Sequence, residues 1–278
     1  LVRIITDSTA DISAENAEKL GITVLPLTIH FGEETYRDGV DITNKEFYDK
    51  LATVETLPTT AQIPPAVFAD TFKKYIDEGD EIVCLLIGSK LSGTRQSAII
   101  AADMLETDKV YIPDTQTVTI GLGLMVTVAC EMRDKGMSAK EISDKMTELS
   151  DKVCIVAAVA TLKYLHMGGR LSGAAALIGG MLNICPLISV EHGEIKSIGK
   201  ARGMNSAVKS LDEKLKHEGY LPDSSMPVAF GHTQAPDLLK VIVGQLSYVG
   251  DCVLVSDIGS VVGTHVGQGG GGIAYFKK

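Results

Sequence analysis

Two hydrophobic periods alternate along the first half of the chain. Short apolar runs of strand length, Val2–Thr6 and Ile82–Ile87, each precede a segment whose apolar residues recur at helical spacing. Ser13 caps a predicted helix that runs to about Leu20, where Gly21 stops it. Ile22–Phe31 reads as extended chain interrupted by Pro26, and Asp38-Gly39 marks a turn. Thr43-Asn44-Lys45-Glu46 forms a capping box ahead of Phe47 and Leu51. The stretch from Leu57 to Pro65 reads as a polar, proline-punctuated loop, with helix from Pro65 to Tyr75 after it. A strand at Lys109–Ile112 and helices over 117–134 and 138–149 complete this half. The last of these opens with a second capping box, Ser138-x-x-Glu141. Strands alternating with helices predict a mostly parallel sheet flanked by helices.

The pattern changes near residue 150. Val153–Val159 is a predicted strand, Leu162–Met167 a short helix and Ala174–Leu182 an apolar helix. Leu187–Val190 and Glu194–Ile198 flank His192-Gly193 as a hairpin. A helix with Met204, Ala207, Val208, Leu211 and Leu215 on one face is expected to end at Gly219. A strand at Val228–Phe230, a helix from Pro236 and a strand at Val253–Val255 follow. The glycine run Gly267–Gly272 leads into a last strand, Ile273–Phe276. A hairpin plus crossovers predicts a mixed sheet. The expected architecture is therefore α/β, in two α/β domains over 1–150 and 151–278, packed without a Pro-rich or charged linker.

Composition narrows the function classes. A hydrophobic content of 45% supports substantial cores. A net charge of −9, a pI near 5.2 and the absence of Trp argue against nucleic acid as a partner. Five singly placed cysteines, Cys84, Cys130, Cys154, Cys185 and Cys252, read as reduced core residues. No apolar run approaches the ~20 residues that span a bilayer. Val2 enters a strand without a signal-peptide pattern. The expected setting is cytoplasmic, with no stable membrane insertion.

The stretch Leu91-Ser92-Gly93-Thr94-Arg95-Gln96-Ser97-Ala98 joins a strand to a helix through a turn of small hydroxyl residues. Such a turn is an anion site, because unpaired N–H groups and the positive helix end face one point. Gly88 and Gly93 are spaced as in a nucleotide-binding phosphate loop, but Thr94-Arg95 stands where Lys-Ser/Thr is required. Gly267–Gly272 matches the dinucleotide pattern literally, yet a strand rather than a helix follows it. There is no nucleophile elbow, no zinc-protease motif and no cysteine pair with metal spacing. No cofactor or metal is therefore expected.

Three further residues stand out. His265 lies among Gly263, Thr264 and Gly267, a setting that reads as a loop shaped to fit something. Arg170 ends Gly168-Gly169-Arg170, and Arg202 ends Lys200-Ala201-Arg202. Spacing alone favours exposed charges for both, with fixed cations for an anionic partner as the other reading. A stand-alone hydrolase or transferase acting on a small carboxylate or phosphate stays open beside a binding protein.

In combination these stretches resemble the DegV family of bacterial fatty-acid-binding proteins. The matching segments are Ile5-Thr6-Asp7-Ser8-Thr9, Pro58-Thr59-Thr60-Ala61-Gln62, Leu91–Ala98, Gly168-Gly169-Arg170-Leu171-Ser172 and Gly263-Thr264-His265-Val266-Gly267-Gln268-Gly269. The resemblance implies one long-chain fatty acid enclosed between two α/β domains. It implies a non-catalytic role as the lipid-presenting subunit of a fatty acid kinase in phospholipid metabolism. A separate ATP-using subunit would phosphorylate the bound carboxylate. By that likeness Thr60, Ser92 and His265 meet the carboxylate, the backbone around Gly93 and Thr94 assists, and Arg170 and Arg202 face the kinase subunit. Two positions depart from the family pattern. Ala61 replaces the usual Ser, and Gly203 replaces the Thr that usually follows the arginine, leaving a helix start without a hydroxyl cap.

Overall fold

The computed structural model describes residues 1–172 and 183–278. The helix expected over Ala174–Leu182 lies outside the described residues. The first half runs β1 (Val2–Asp7), α1 (Ala14–Leu20), β2 (Thr23–Leu25), β3 (Thr28–Phe31), β4 (Glu34–Arg37), α2 (Asn44–Leu51), β5 (Thr59–Ala61), α3 (Pro65–Asp77), β6 (Glu81–Leu85), α4 (Thr94–Met104), β7 (Val110–Tyr111), α5 (Thr119–Asp134) and α6 (Ala139–Ser150). The second half runs β8 (Val153–Ala158), α7 (Lys163–Met167), β9 (Ile184–Glu191), β10 (Glu194–Arg202), α8 (Met204–Lys214), β11 (Val228–His232), α9 (Pro236–Leu246), β12 (Cys252–Asp257), α10 (Ser260–Val266) and β13 (Gly271–Phe276).

Three sheets result. Strands β2-β1-β6-β7 form a parallel sheet, and β4-β3-β5 form a small antiparallel one. Strands β10-β9-β8-β13-β11-β12 form a mixed sheet in which β11 and β12 are parallel and the other pairs antiparallel. Every described strand before residue 112 belongs to the first two sheets, and every described strand after residue 152 to the third.

Local chemistry accounts for many of the boundaries. Ser13 Oγ accepts from Asn16 N at 3.2 Å, and Gly21 closes α1 at φ 61°. Both expected capping boxes form reciprocally, Thr43 with Glu46 and Ser138 with Glu141. His192 and Gly193 both have positive φ, 51° and 72°, which matches the twist of a two-residue hairpin between β9 and β10. Gly203 is the N-cap of α8 and supplies no side-chain bond, as the substitution at this position implies.

Helix α5 ties the sheets together. Its residues 119–130 are all buried, so it has no solvent-facing side until its last turn. A helix apolar on every side must be covered on every side. It touches β1 and β6 of the parallel sheet and β8, β11, β12 and β13 of the mixed sheet. The apolar core around it accordingly joins residues of both halves, from Ile4 and Leu85 to Ile155 and Ala274.

Four expectations need correction. Leu57–Pro65 is not wholly loop, because Thr59–Ala61 pairs with Thr28–His30 as β5. The helix expected to reach Gly219 ends as α8 at Lys214. His265 does not sit in a loop but in the last turn of α10. Cys252 is exposed at the start of β12, whereas the other four cysteines are buried.

Candidate functional site

The turn after β6 is shaped by backbone and small hydroxyls. Thr94 N donates to Ser92 Oγ at 3.2 Å, and the two hydroxyls lie 2.9 Å apart. Gly93 occupies the N-cap of α4 and offers no side-chain cap, so the positive helix end stays open to a ligand. Its dihedrals, φ −76° and ψ 1°, suit any residue. A Cβ at position 93 would lie 2.0 Å from Gln62 Oε1, so glycine leaves room for the Gln62 carboxamide where it sits. Gln62 Nε2 in turn donates to Ser97 Oγ at 2.9 Å, which fixes the carboxamide between β5 and α4.

Strand β5 brings Thr60 to this turn, and α10 brings His265. Thr60 Oγ1 and His265 Nε2 are hydrogen-bonded at 3.0 Å. The other ring nitrogen, Nδ1, is buried and has no partner among the described residues. Burial, with the Arg170 charge second, pushes the imidazole down to about 4, so the ring is neutral at physiological pH. Helix α10 is held from the first half. Asp11 Oδ1 accepts from Gly259 N at 2.8 Å, Asp38 Oδ1 from Ser260 N at 3.1 Å, and Tyr48 Oη donates to Ile258 O at 3.0 Å.

Arg170 follows α7. Its guanidinium donates to Leu91 O at 3.3 Å and to Gly168 O at 2.6 Å, so a residue of the second half reaches the turn of the first. These groups edge one cavity of about 350 Å³. Thr60, Ser92, Gly93, His265 and Arg170 all line it. The rest of its wall is mostly apolar, with Val118 and Ile120 from the start of α5, Ile155, Ile188, Val190 and Ile195 from the mixed sheet, and Val261 and Val262 from α10. Arg170 is the one charged side chain among its described lining residues. A mostly apolar wall that also carries a few hydroxyls and one cation suits an amphiphile with an anionic head.

The remaining sequence candidates are placed differently. Thr94 is fully buried behind Ser92 and does not line the cavity. Ala61 lines it but brings no hydroxyl. Arg202 ends β10 as an exposed residue away from the cavity wall. Gln62 carried no role in the sequence reading, although its place beside Thr60-Ala61 marked it. Among the described residues no cluster of His, Cys, Asp and Glu could hold a metal. No described helix is long and apolar enough to cross a membrane.

Comparison with known proteins agrees with this layout. The family model described as "Uncharacterised protein, DegV family" matches residues 1–278. A DegV domain-containing protein of Caldanaerobacter subterraneus is 34% identical over 279 residues, covering 100% of this chain and 99% of the relative. A DegV family protein from Thermus thermophilus, solved as a fatty acid binder, superposes with a TM-score of 0.91 at 30% identity, over 100% of this chain and 99% of the other. A fatty acid (stearic acid)-binding protein from Eubacterium ventriosum superposes at 0.88 with 27% identity, over 100% and 99% of the two chains. The chain belongs to the DegV family.

Proposed function

We propose that this protein binds one long-chain fatty acid, with the carboxylate at the Ser92 turn and the tail in the apolar cavity. One observation carries the reading: Thr60, Ser92 and the hydrogen-bonded His265 line the same cavity as Arg170, its single described charge, while most of the remaining wall is apolar. Each buried methylene of the tail contributes about 0.8 kcal/mol. The head-group contacts keep a buried carboxylate from being left unpaired, which would cost several kcal/mol. Ser92 and Thr60 supply hydroxyl donors, the backbone at Gly93 and Thr94 supplies the helix end, and Arg170 supplies opposite charge.

The bound acid is presented to a separate ATP-using kinase subunit. That subunit transfers the γ-phosphoryl group of ATP to a carboxylate oxygen, releasing ADP and leaving an acyl phosphate. Arg170 and Arg202 face this partner, and the chain itself performs no catalysis. The Thr60–His265 pair superficially resembles a nucleophile and base. A ring that protonates near 4 is a weak base at neutral pH, and among the described residues no carboxylate orients its Nδ1. That supports binding over hydrolysis. The reading is tested by denaturing the purified protein and extracting it for mass spectrometry. A long-chain acid in the extract is expected; an empty extract, with no uptake of added acid, overturns it.

A further inference from the structure

Gly168 adopts φ −77° and ψ −5°, an ordinary right-handed conformation that any L-residue accepts. The next residue, Gly169, has φ 68° and needs glycine for its backbone. Gly168 has no such need, so its missing side chain must answer to something else. A Cβ built there would lie 2.3 Å from His265 Nδ1 and 3.1 Å from Cε1 of the same ring. The contact is matched in the other direction. A Cβ at Gly267, just past α10, would lie 2.5 Å from the Tyr164 ring of α7. Each segment thus places an aromatic ring against a glycine of the other.

We propose that Gly168 is a positioning residue of the carboxylate site: its bare Cα closes over Nδ1 of His265 and holds the ring on Thr60 through Nε2. The proposal rests on the fatty acid reading given above. Its consequence is a fixed tautomer. A buried N–H without an acceptor is the costlier orphan, so Nδ1 carries the lone pair and Nε2 carries the proton. Nε2–H then donates to Thr60 Oγ1. The Thr60 hydroxyl proton is left to donate to the ligand carboxylate. Gly168 also accepts from Arg170 through its carbonyl, so one residue sets both the ring and the cation at the head-group end.

Two measurements test this. Long-range proton–nitrogen NMR on the 15N-labelled wild-type protein at neutral pH should show His265 protonated at Nε2 and bare at Nδ1; a proton on Nδ1 overturns the proposal. This readout needs no variant and no ligand. The second is a cycle of Gly168→Ala with His265→Ala, read as affinity for palmitate and for methyl palmitate. Gly168→Ala should weaken palmitate about tenfold, the scale of one lost hydrogen bond, and weaken the ester less, because its neutral carbonyl accepts a weaker bond than a carboxylate does. In the His265→Ala background, where the ring contact is gone and only the 3.1 Å approach to the Tyr164 carbonyl remains, Gly168→Ala should have no effect on affinity. Equal losses for acid and ester, or a loss that persists without His265, overturns the positioning role. If wild-type protein binds neither lipid, the fatty acid reading fails while the NMR result still decides the geometry.

Discussion

The Thr60 hydroxyl and the His265 ring meet at 3.0 Å across 205 positions of sequence. Strand β5 supplies one and α10 the other, and both stand beside the Ser92 turn on the wall of one cavity. Their meeting depends on how the two halves dock, so the head-group site should respond both to direct substitutions and to changes in the docking groups.

Direct substitutions come first. Ser92→Ala and Thr60→Val each remove one hydroxyl from the polar end of the cavity. Each should weaken binding of a long-chain acid by about 1–2 kcal/mol, or roughly 5–30-fold; Thr60→Val, which takes the acceptor from the buried His265 Nε2–H, should also lower the thermal midpoint. Competitive displacement of a fluorescent fatty acid measures this. Unchanged affinity in both variants would place the carboxylate elsewhere.

The tail is tested by filling its space. Ala157 of β8 lines the cavity. Ala157→Phe should exclude long tails and shift the extracted lipid toward shorter acids or remove it, at a stability loss of about 1–3 kcal/mol from overpacking. Mass spectrometry of the extract and urea unfolding report the two effects. An unchanged lipid profile contradicts the tail placement.

Docking of α10 is tested at Asp38. Its carboxylate caps Ser260 N from the other half of the chain. Asp38→Ala leaves a buried N–H without an acceptor and should destabilise the protein by about 1–3 kcal/mol. Asp38→Asn retains an acceptor and should lose less. Affinity for the acid should fall with Asp38→Ala as well, because α10 carries His265.

The pH response has a defined sign. An unfolded imidazole takes up its proton near 6.5, whereas buried His265 does so at about 4. Between these values the unfolded chain binds more protons, so His265 contributes a loss of stability as pH falls through that window. Asp7 acts oppositely. Burial raises its carboxyl to about 6, so the destabilisation from burying its charge is relieved as pH falls toward 3.8. His265→Gln removes only the first effect. Relative to wild type it should gain about 2 kcal/mol between about pH 7 and pH 5, read by urea unfolding. A constant difference across that range contradicts a neutral, buried ring.

How much of this was legible in the sequence differs by residue. Ser13, Gly21 and the capping boxes at Thr43 and Ser138 act within one turn, so their pattern is local and was readable. Strand β5 was not. Its three residues carry no period, and β3 supplies its pairing from 30 residues upstream. Helix α10 was hidden by glycines that read as loop. Gly263 is in fact a packing glycine, where a Cβ would lie 2.6 Å from Tyr48 Oη. The last strand starts inside the glycine run for the same reason, since a Cβ at Gly272 would lie 2.5 Å from Val156 O. The Ser92 turn was visible as an anion site, but the arrival of Thr60, His265 and Arg170 around it was carried by family likeness alone. Spacing holds no record of contacts that long-range docking creates.

The most direct test is calorimetric titration of delipidated protein with palmitate and with its methyl ester. The account predicts one palmitate per chain and an ester at least about tenfold weaker, because the ester lacks the charge that Arg170 and the helix end complement. No binding of palmitate, or equal binding of acid and ester, would contradict it.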